Sequence, residues 1–120
     1  MGVYQKNIDI KTKELSITDI SSDVQTIVKK SGFLCGMVNV FNIGSTASIS
    51  TIEYESGLIH DFPALIQKLI PYGENYRHNL TWNDDNGHSH LRATLMGPSI
   101  TIPFKDRTLL VGTWQQIIHI

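Results

Sequence analysis

Three basic side chains fall on alternate positions in Gly87-His88-Ser89-His90-Leu91-Arg92. In an extended chain, residues two apart point to the same face. His88, His90 and Arg92 would then share one side, and Ser89, Leu91 and Ala93 the other. Two imidazoles so spaced can chelate one divalent ion. A third ligand would complete a set that keeps an open position, as catalytic metal sites do. The nearest imidazole is His78, in Tyr76-Arg77-His78-Asn79. The plainer alternative is a set of polar histidines at a loop edge.

Two further clusters carry chemistry-capable groups. Gly44-Ser45-Thr46-Ala47-Ser48 offers a glycine followed by hydroxyls and successive amides, which can cradle an anion. No Gly-Lys-Ser/Thr follows, so it is not a P-loop. The simpler reading is a Ser/Thr-rich strand whose hydroxyls pair across a sheet. Glu53 and Glu55 would share a strand face, with Asp61 opening the next helix. Carboxylates in a cleft serve as general base or metal ligand; a solvated acidic loop and a helix cap explain them without chemistry. His60 and His119 read as surface or packing histidines, and Trp82 and Trp114 as core or interface residues.

The elements that position these groups are mostly of period two. Tyr4–Ile10 and Leu15–Ile20 alternate roughly polar with apolar, as half-buried strands do. Ser21–Lys30 is instead a short helix. It has a Ser-Ser-Asp start, apolar Val24, Ile27 and Val28, and a Lys-Lys end before Ser31-Gly32. Phe33–Phe41 is apolar on both faces, as a strand buried on both sides would be, and Gly44–Ile52 follows with Ser and Thr at every second place. Gly57–Ile70 predicts a second helix, with Asp61 capping before Pro63 in its first turn and Ala64, Leu65, Ile66, Leu69 and Ile70 forming a buried face. Tyr72–Gly87 reads as a loop, and His88–Leu95, Ser99–Phe104 and Thr108–Ile120 as strands. The expected fold is mainly β with two short helices (α+β): an antiparallel β-sandwich or barrel with helices packed on one side.

One domain accounts for all 120 residues. With 41% apolar and 18% charged residues there is material for a core, and too little charge for disorder. Ten basic against eleven acidic residues leave a net charge of -1, and no basic stripe interleaves with aromatics. Neither nucleic acid nor a membrane is therefore an expected partner. Cys35 is the sole cysteine and cannot close an intrachain disulfide. No apolar run suits a spanning helix, and the first residues show no leader-like apolar region, so a cytoplasmic protein is expected.

Taken together, four segments resemble one known family in order and spacing: GSTASISTIEYESGLIHDF (Gly44–Phe62), LIPYGENYRHN (Leu69–Asn79), GHSHLRATLMGPSITIPF (Gly87–Phe104) and LLVGTWQQI (Leu109–Ile117). This is the YjbQ-like family, also known as the secondary thiamine-phosphate synthase family. The resemblance spans roughly two thirds of the chain, from Gly36 to Ile118. It implies a compact β-sandwich with flanking helices, a homotrimer, and weak formation of thiamine phosphate from a thiazole phosphate and a pyrimidine pyrophosphate. It also implies a polar pocket that gathers His78, His90, Glu53, Asp61 and Gln115.

Many members carry His-Thr-Thr-Ala where this chain has Gly44-Ser45-Thr46-Ala47, so one family histidine is absent. His88, two residues before His90, is the expected replacement, giving a His78–His88–His90 site for a divalent metal. Three imidazoles suit zinc, nickel or copper better than magnesium, so these residues fit a metal-dependent hydrolase or lyase better than pyrophosphate transfer. Arg92, Ser45 and Thr46 are the expected contacts for the phosphate oxygens of a small anionic or phosphorylated ligand, with Glu53 or Asp61 as base. Members usually continue past the last strand with an acidic, arginine-containing tail, whereas this sequence ends at Ile120. The competing expectation is a binding module that holds a metal or an anionic metabolite between subunits without turning it over.

Overall fold

The computed structural model describes residues 2–120. In chain order its elements are β1 (Thr18–Asp19), α1 (Ser21–Lys30), β2 (Gly36–Phe41), β3 (Ile49–Ile52), α2 (Ser56–Leu69), α3 (Arg77–Trp82), α4 (Gly87–Met96), β4 (Ser99–Lys105), β5 (Thr108–Leu109) and β6 (Gln116–His119). All strand pairs are antiparallel, in two three-stranded sheets of order β1-β6-β3 and β2-β4-β5. This is an α+β fold built on antiparallel sheets, without a closed barrel.

α1 follows directly from its sequence. The Asp19 carboxylate accepts the Ser21 amide at 2.9 Å, Asp23 lies in the first turn, and Lys29 and Lys30 lie in the last. Charge thus opposes the helix dipole at both ends. Val24 and Val28, one turn apart, face inward and join Ile20, Ile49, Ile102, Phe104, Leu109 and Ile117 in the core. That core draws on both sheets, with Ile117 of β6 fully enclosed. The sheets meet where the Ile49 amide donates to the carbonyl of Gly97, and the chain end is held by reciprocal bonds between Ser48 and Ile120.

Helices number four rather than two. The largest difference is at His88–Leu95, expected as a strand and folded as most of α4. The His-x-His-x-Arg alternation masks a second periodicity: Ser89, Arg92, Ala93 and Met96 repeat at i, i+3, i+4 and i+7, which is one face of a helix. Gly97, at φ +91°, then Pro98 end it. The loop expected over Tyr72–Gly87 contains α3. Tyr4–Ile10 has no regular strand, although Ile8 and Ile10 pack on the core.

α2 begins one residue early and is capped by Glu55 rather than Asp61. The Glu55 carboxylate accepts the amides of Gly57 and Leu58 at 2.7 and 2.6 Å. Pro63 therefore sits in the helix interior and leaves one carbonyl without its usual donor. Of the expected buried face, Ile66 is buried, whereas Leu65 and Leu69 are exposed. Trp82 and Trp114 also stand out from the surface, 74% and 73% exposed, and belong to no core.

β4 and β5 are joined by Asp106 and Arg107, both with positive φ (53° and 60°). This is the backbone of a two-residue hairpin turn that favours Asn-Gly. Asp tolerates it; Arg is strained there. Arg107 contributes through its backbone, whose amide donates to the Leu34 carbonyl and whose carbonyl accepts from Gln25. Replacing Arg107 by Gly keeps both bonds and removes the Cβ clash. The expected gain is about 0.5–1 kcal/mol after the entropy of glycine is subtracted, read as a higher urea midpoint at unchanged slope.

Candidate functional site

α4 presents two faces with different partners. His88 and Arg92, one turn apart, point inward and are both buried. Arg92 directs Nε to the Ile70 carbonyl (3.0 Å), Nη2 to Gln67 Oε1 (2.9 Å) and Nη1 to Glu14 Oε1 (3.0 Å). The same Glu14 oxygen lies 2.9 Å from His88 Nε2, which is also 3.2 Å from the Ser89 hydroxyl. The ring nitrogen facing Glu14 must carry the proton it donates. Nδ1 is enclosed without a hydrogen-bond partner. The edge of the His88 ring meets Tyr72, with centroids 4.6 Å apart. The Tyr72 hydroxyl in turn donates to Asp85 at 2.8 Å, and that bond raises its pKa above the usual tyrosine value. Leu15, at φ +51°, forms the turn that brings Glu14 to this cluster.

His90, two positions along the helix and some 200° around its axis from His88, faces α3 instead. Its ring stacks on His78 with centroids 4.4 Å apart at a 56° tilt. His78 Nε2 is 3.1 Å from Asn86 Oδ1 and 3.9 Å from Asp84 Oδ1. Gly87 permits this approach. A Cβ there would come within 2.8 Å of both Asn79 Oδ1 and Tyr76 Cβ, and the Gly87 amide donates to Asn79 Oδ1 at 2.9 Å. The structure thus brings His78 and His90 together and places His88 in another environment. The same-face expectation for His88, His90 and Arg92 fails because the segment is helical. Among the described residues no group of three or more His, Cys, Asp or Glu side chains is arranged to hold a metal ion.

Beside the inward face of α4 lies a cavity of about 340 Å³. Asn86, Ser89, Arg92, Ala93 and Met96 line it from the helix side, Lys13 and Glu14 from the N-terminal loop, Thr46 and Ala47 from the turn before β3, and His119 from β6. His119 is buried; its Nε2 meets Asn42 Oδ1 at 3.0 Å, and its Nδ1 has no partner. Burial lowers its pKa below 6.5.

Thr46 and Arg92 therefore line one cavity, while Ser45 is exposed on the adjoining turn. Gln115 braces the turn before β6: its Oε1 accepts the Gly112 amide at 3.0 Å and its Nε2 donates to Thr51 at 3.3 Å. Glu53 is exposed beyond β3, and Asp61 is exposed on α2 with His60 as its partner. Neither lines the cavity. Glu14 escaped sequence reasoning because it sits among lysines, in a turn with no motif. Ser89 and Asn86 were hidden by reading α4 as a strand. His119, read as a surface or packing histidine, is buried, and nothing in the sequence placed it on a cavity.

Antiparallel sheets carrying a helical layer and a polar cavity at its base define a small α+β protein with one candidate ligand site. Residues 6–120 match the sequence pattern of the family described as UPF0047 protein YjbQ-like, and the chain belongs to that family. It is 36% identical over 118 residues to a UPF0047 protein from Methanothermobacter thermautotrophicus, covering 98% of this chain and 81% of that one. Among solved structures it resembles a YbjQ-like protein of unknown function from Sulfolobus solfataricus P2. That match has 36% identity and a TM-score of 0.85, covering 90% of this chain and 77% of that one. A hypothetical protein from Aeropyrum pernix K1 superposes with a TM-score of 0.83 at 31% identity, covering 90% and 79%.

Two measurements check the electrostatics. Glu14→Gln removes the charge that faces the enclosed Arg92 guanidinium. Glu14 is itself 57% exposed, so the expected loss is about 1–3 kcal/mol rather than that of a fully buried pair. Urea titration at neutral pH reads it. His119 has a depressed folded-state pKa, so the unfolded chain takes up its proton first as pH falls. Its contribution is neutral at high pH and turns unfavourable as pH drops below about 6.5. His119→Gln is expected to flatten the stability profile below that pH, as followed by thermal melts.

Proposed function

We propose that the protein binds a small phosphorylated metabolite in the cavity beside α4 and acts on it with the His78–His90 pair at its border. The chemistry would be similar to the thiamine-phosphate formation that the family resemblance implies. The supporting observation is convergence: Ser89 and Arg92 from one helix face, Thr46 from a turn and Lys13 from a loop surround one cavity. Hydroxyls and cationic N–H donors are the groups phosphate oxygens accept from. A guanidinium carries five N–H bonds; Arg92 commits three to the protein, so two are free for a ligand. In the implied reaction a thiazole nitrogen displaces pyrophosphate, and Arg92 and Lys13 would offset the charge of the departing group. Asn86 lines the cavity and is hydrogen-bonded to His78 Nε2, which couples the imidazole pair to the site through one side chain.

The His78–His88–His90 metal set does not fit a single copy, because His88 is held on Glu14. No step is assigned to a metal. His78 and His90 retain the donor type that zinc prefers, and a complete set would need a side chain from a neighbouring copy. The same holds for Glu53 or Asp61 as base, since both stand outside the cavity within one chain.

Self-association, as a homotrimer, is part of this reading. The accessible surface of 8290 Å² exceeds by about 1,800 Å² the value expected for a folded monomer of 13.5 kDa. Large apolar side chains are exposed on many elements, among them Met37 and Phe41 on β2, Leu65 and Leu69 on α2, and Leu80, Trp82, Leu91 and Leu95 on α3 and α4. A second reading, binding without turnover, is favoured by the absence of a third donor beside the imidazole pair among the described residues.

Calorimetry with inorganic phosphate and with a thiazole phosphate separates these. Thr46→Val combined with Ser89→Ala is expected to weaken binding about 10- to 100-fold. No binding by the wild type at millimolar ligand overturns the proposal. Product formation that disappears in His90→Ala while binding persists supports the enzyme; binding with no turnover supports the module.

A further inference from the structure

The turn from Ile43 to Ala47 links the two sheets and is fastened at both ends. Before it, the Asn42 amide donates to the Pro98 carbonyl at 2.8 Å; after it, Ser48 and Ile120 exchange reciprocal backbone bonds. Between these fixed points one side chain holds the turn. Asn42 Nδ2 donates to the carbonyls of Gly44 and Ala47, each at 3.3 Å. Gly44 sits at φ +135°, a backbone shape that residues with a Cβ rarely adopt.

These two bonds fix the partners on either side. Carbonyls only accept, so Asn42 gives its amide nitrogen to the turn and keeps Oδ1 for His119. His119 Nε2, 3.0 Å away, therefore carries the ring proton and donates it. A line of bonds thus runs from a buried ring on β6, through Asn42, to the turn. The peptide unit is planar and trans, so a carbonyl drawn toward Asn42 turns the next amide the opposite way. For Ala47 that amide is Ser48, which reaches the Ile120 carbonyl. For Gly44 it is Ser45. No amide from Ile43 to Ala47 donates to a protein group among the described residues. Thr46 and Ala47 line the cavity beside α4, as do Lys13, Ser89 and the buried Arg92. Successive outward amides beside cationic side chains offer the donors of a backbone nest, which suits an anion.

We infer that Asn42, braced by His119, is a positioning residue that shapes this turn to receive the ligand's phosphate group through the amides of Ser45 and Thr46. Neither Asn42 nor His119 touches the anion, since Asn42 commits its N–H groups to two carbonyls and its oxygen to His119. Without Asn42 the Gly44 carbonyl loses its donor and is free to rotate, and the Ser45 amide rotates with it. An oxygen would then stand where an anion needs an N–H. This inference rests on the phosphate site of the proposed function and adds the pair that holds it ready.

Amide NMR and calorimetry with inorganic phosphate on the full chain test it. Phosphate is expected to shift the Ser45 and Thr46 amide signals of the wild type in a saturable way. Asn42→Ala is expected to weaken phosphate binding about 10-fold and to abolish those shifts. His119→Leu removes the donor to Asn42 and is expected to weaken binding about 3- to 10-fold. His119→Gln, whose side-chain amide can donate to Asn42 Oδ1, is expected to bind as the wild type does. Phosphate binding that leaves the Ser45 and Thr46 amides unmoved overturns the inference and leaves the phosphate site intact. So does a folded Asn42→Ala protein that binds as tightly as the wild type, or equal binding by the two His119 variants. No binding by the wild type at millimolar phosphate overturns both. If Asn42→Ala misfolds, the wild-type amide shifts and the two His119 variants decide.

Discussion

A single exposed carboxylate fixes how the helical layer sits on the sheets. Glu14 lies in a strained turn far from α4 in sequence, yet one of its oxygens serves both His88 and the enclosed Arg92 guanidinium. Arg92 in turn holds the end of α2 through Gln67 and the Ile70 carbonyl. A cation removed from water is tolerated when its donors are matched, and here the N-terminal loop supplies one acceptor and the end of α2 two. The cavity forms beside this junction. Its shape therefore depends on the same contact that offsets the Arg92 charge.

The parts of the fold that were legible in the sequence are those whose local signals agree with their packing. α1 carries charges suited to both ends, an apolar face and a stop, and it forms at the expected residues. β2, β3 and β6 lie inside segments expected as strands and β4 runs one residue past its own, but β2 is an exposed edge rather than a strand buried on both sides, and Tyr4–Ile10 and His88–Leu95 are not strands. α4 was not legible, because polar residues occupy its inward face: Ser89 and Arg92 point to the cavity where an apolar stripe would have announced a helix. Pattern reading equates inward with apolar, and a helix that lines a polar cavity breaks that equation. The helix cap moved for a related reason, since Glu55 reaches two amides from a position that capping preferences rank below Asp.

The site residues divide along the same line. Thr46 and Arg92 came from chemistry-bearing types at suggestive spacing, and they do meet at one cavity. Glu14 and Asn86 could not be found that way, because their roles depend on where a turn and a helix start bring them in space. Gln115, carried over from the family resemblance, braces the turn before β6. Its visible role is to position backbone, and it does not line the cavity. The exposed Leu65, Leu69, Trp82 and Trp114 belong to a surface larger than a lone chain of this size needs. The sequence pattern placed Leu65 and Leu69 on a buried helix face and read the tryptophans as core or interface residues; hydrophobicity alone does not say which face of a helix packs inward.

His88 and His90 are separated by one residue, and the helical twist sends them to unrelated surroundings. One ring is locked into the scaffold beside Glu14 and Tyr72; the other is half open beside His78. The two rings therefore answer to different constraints: losing His88 would disturb a junction of three elements, whereas losing His90 would alter a half-open contact with His78.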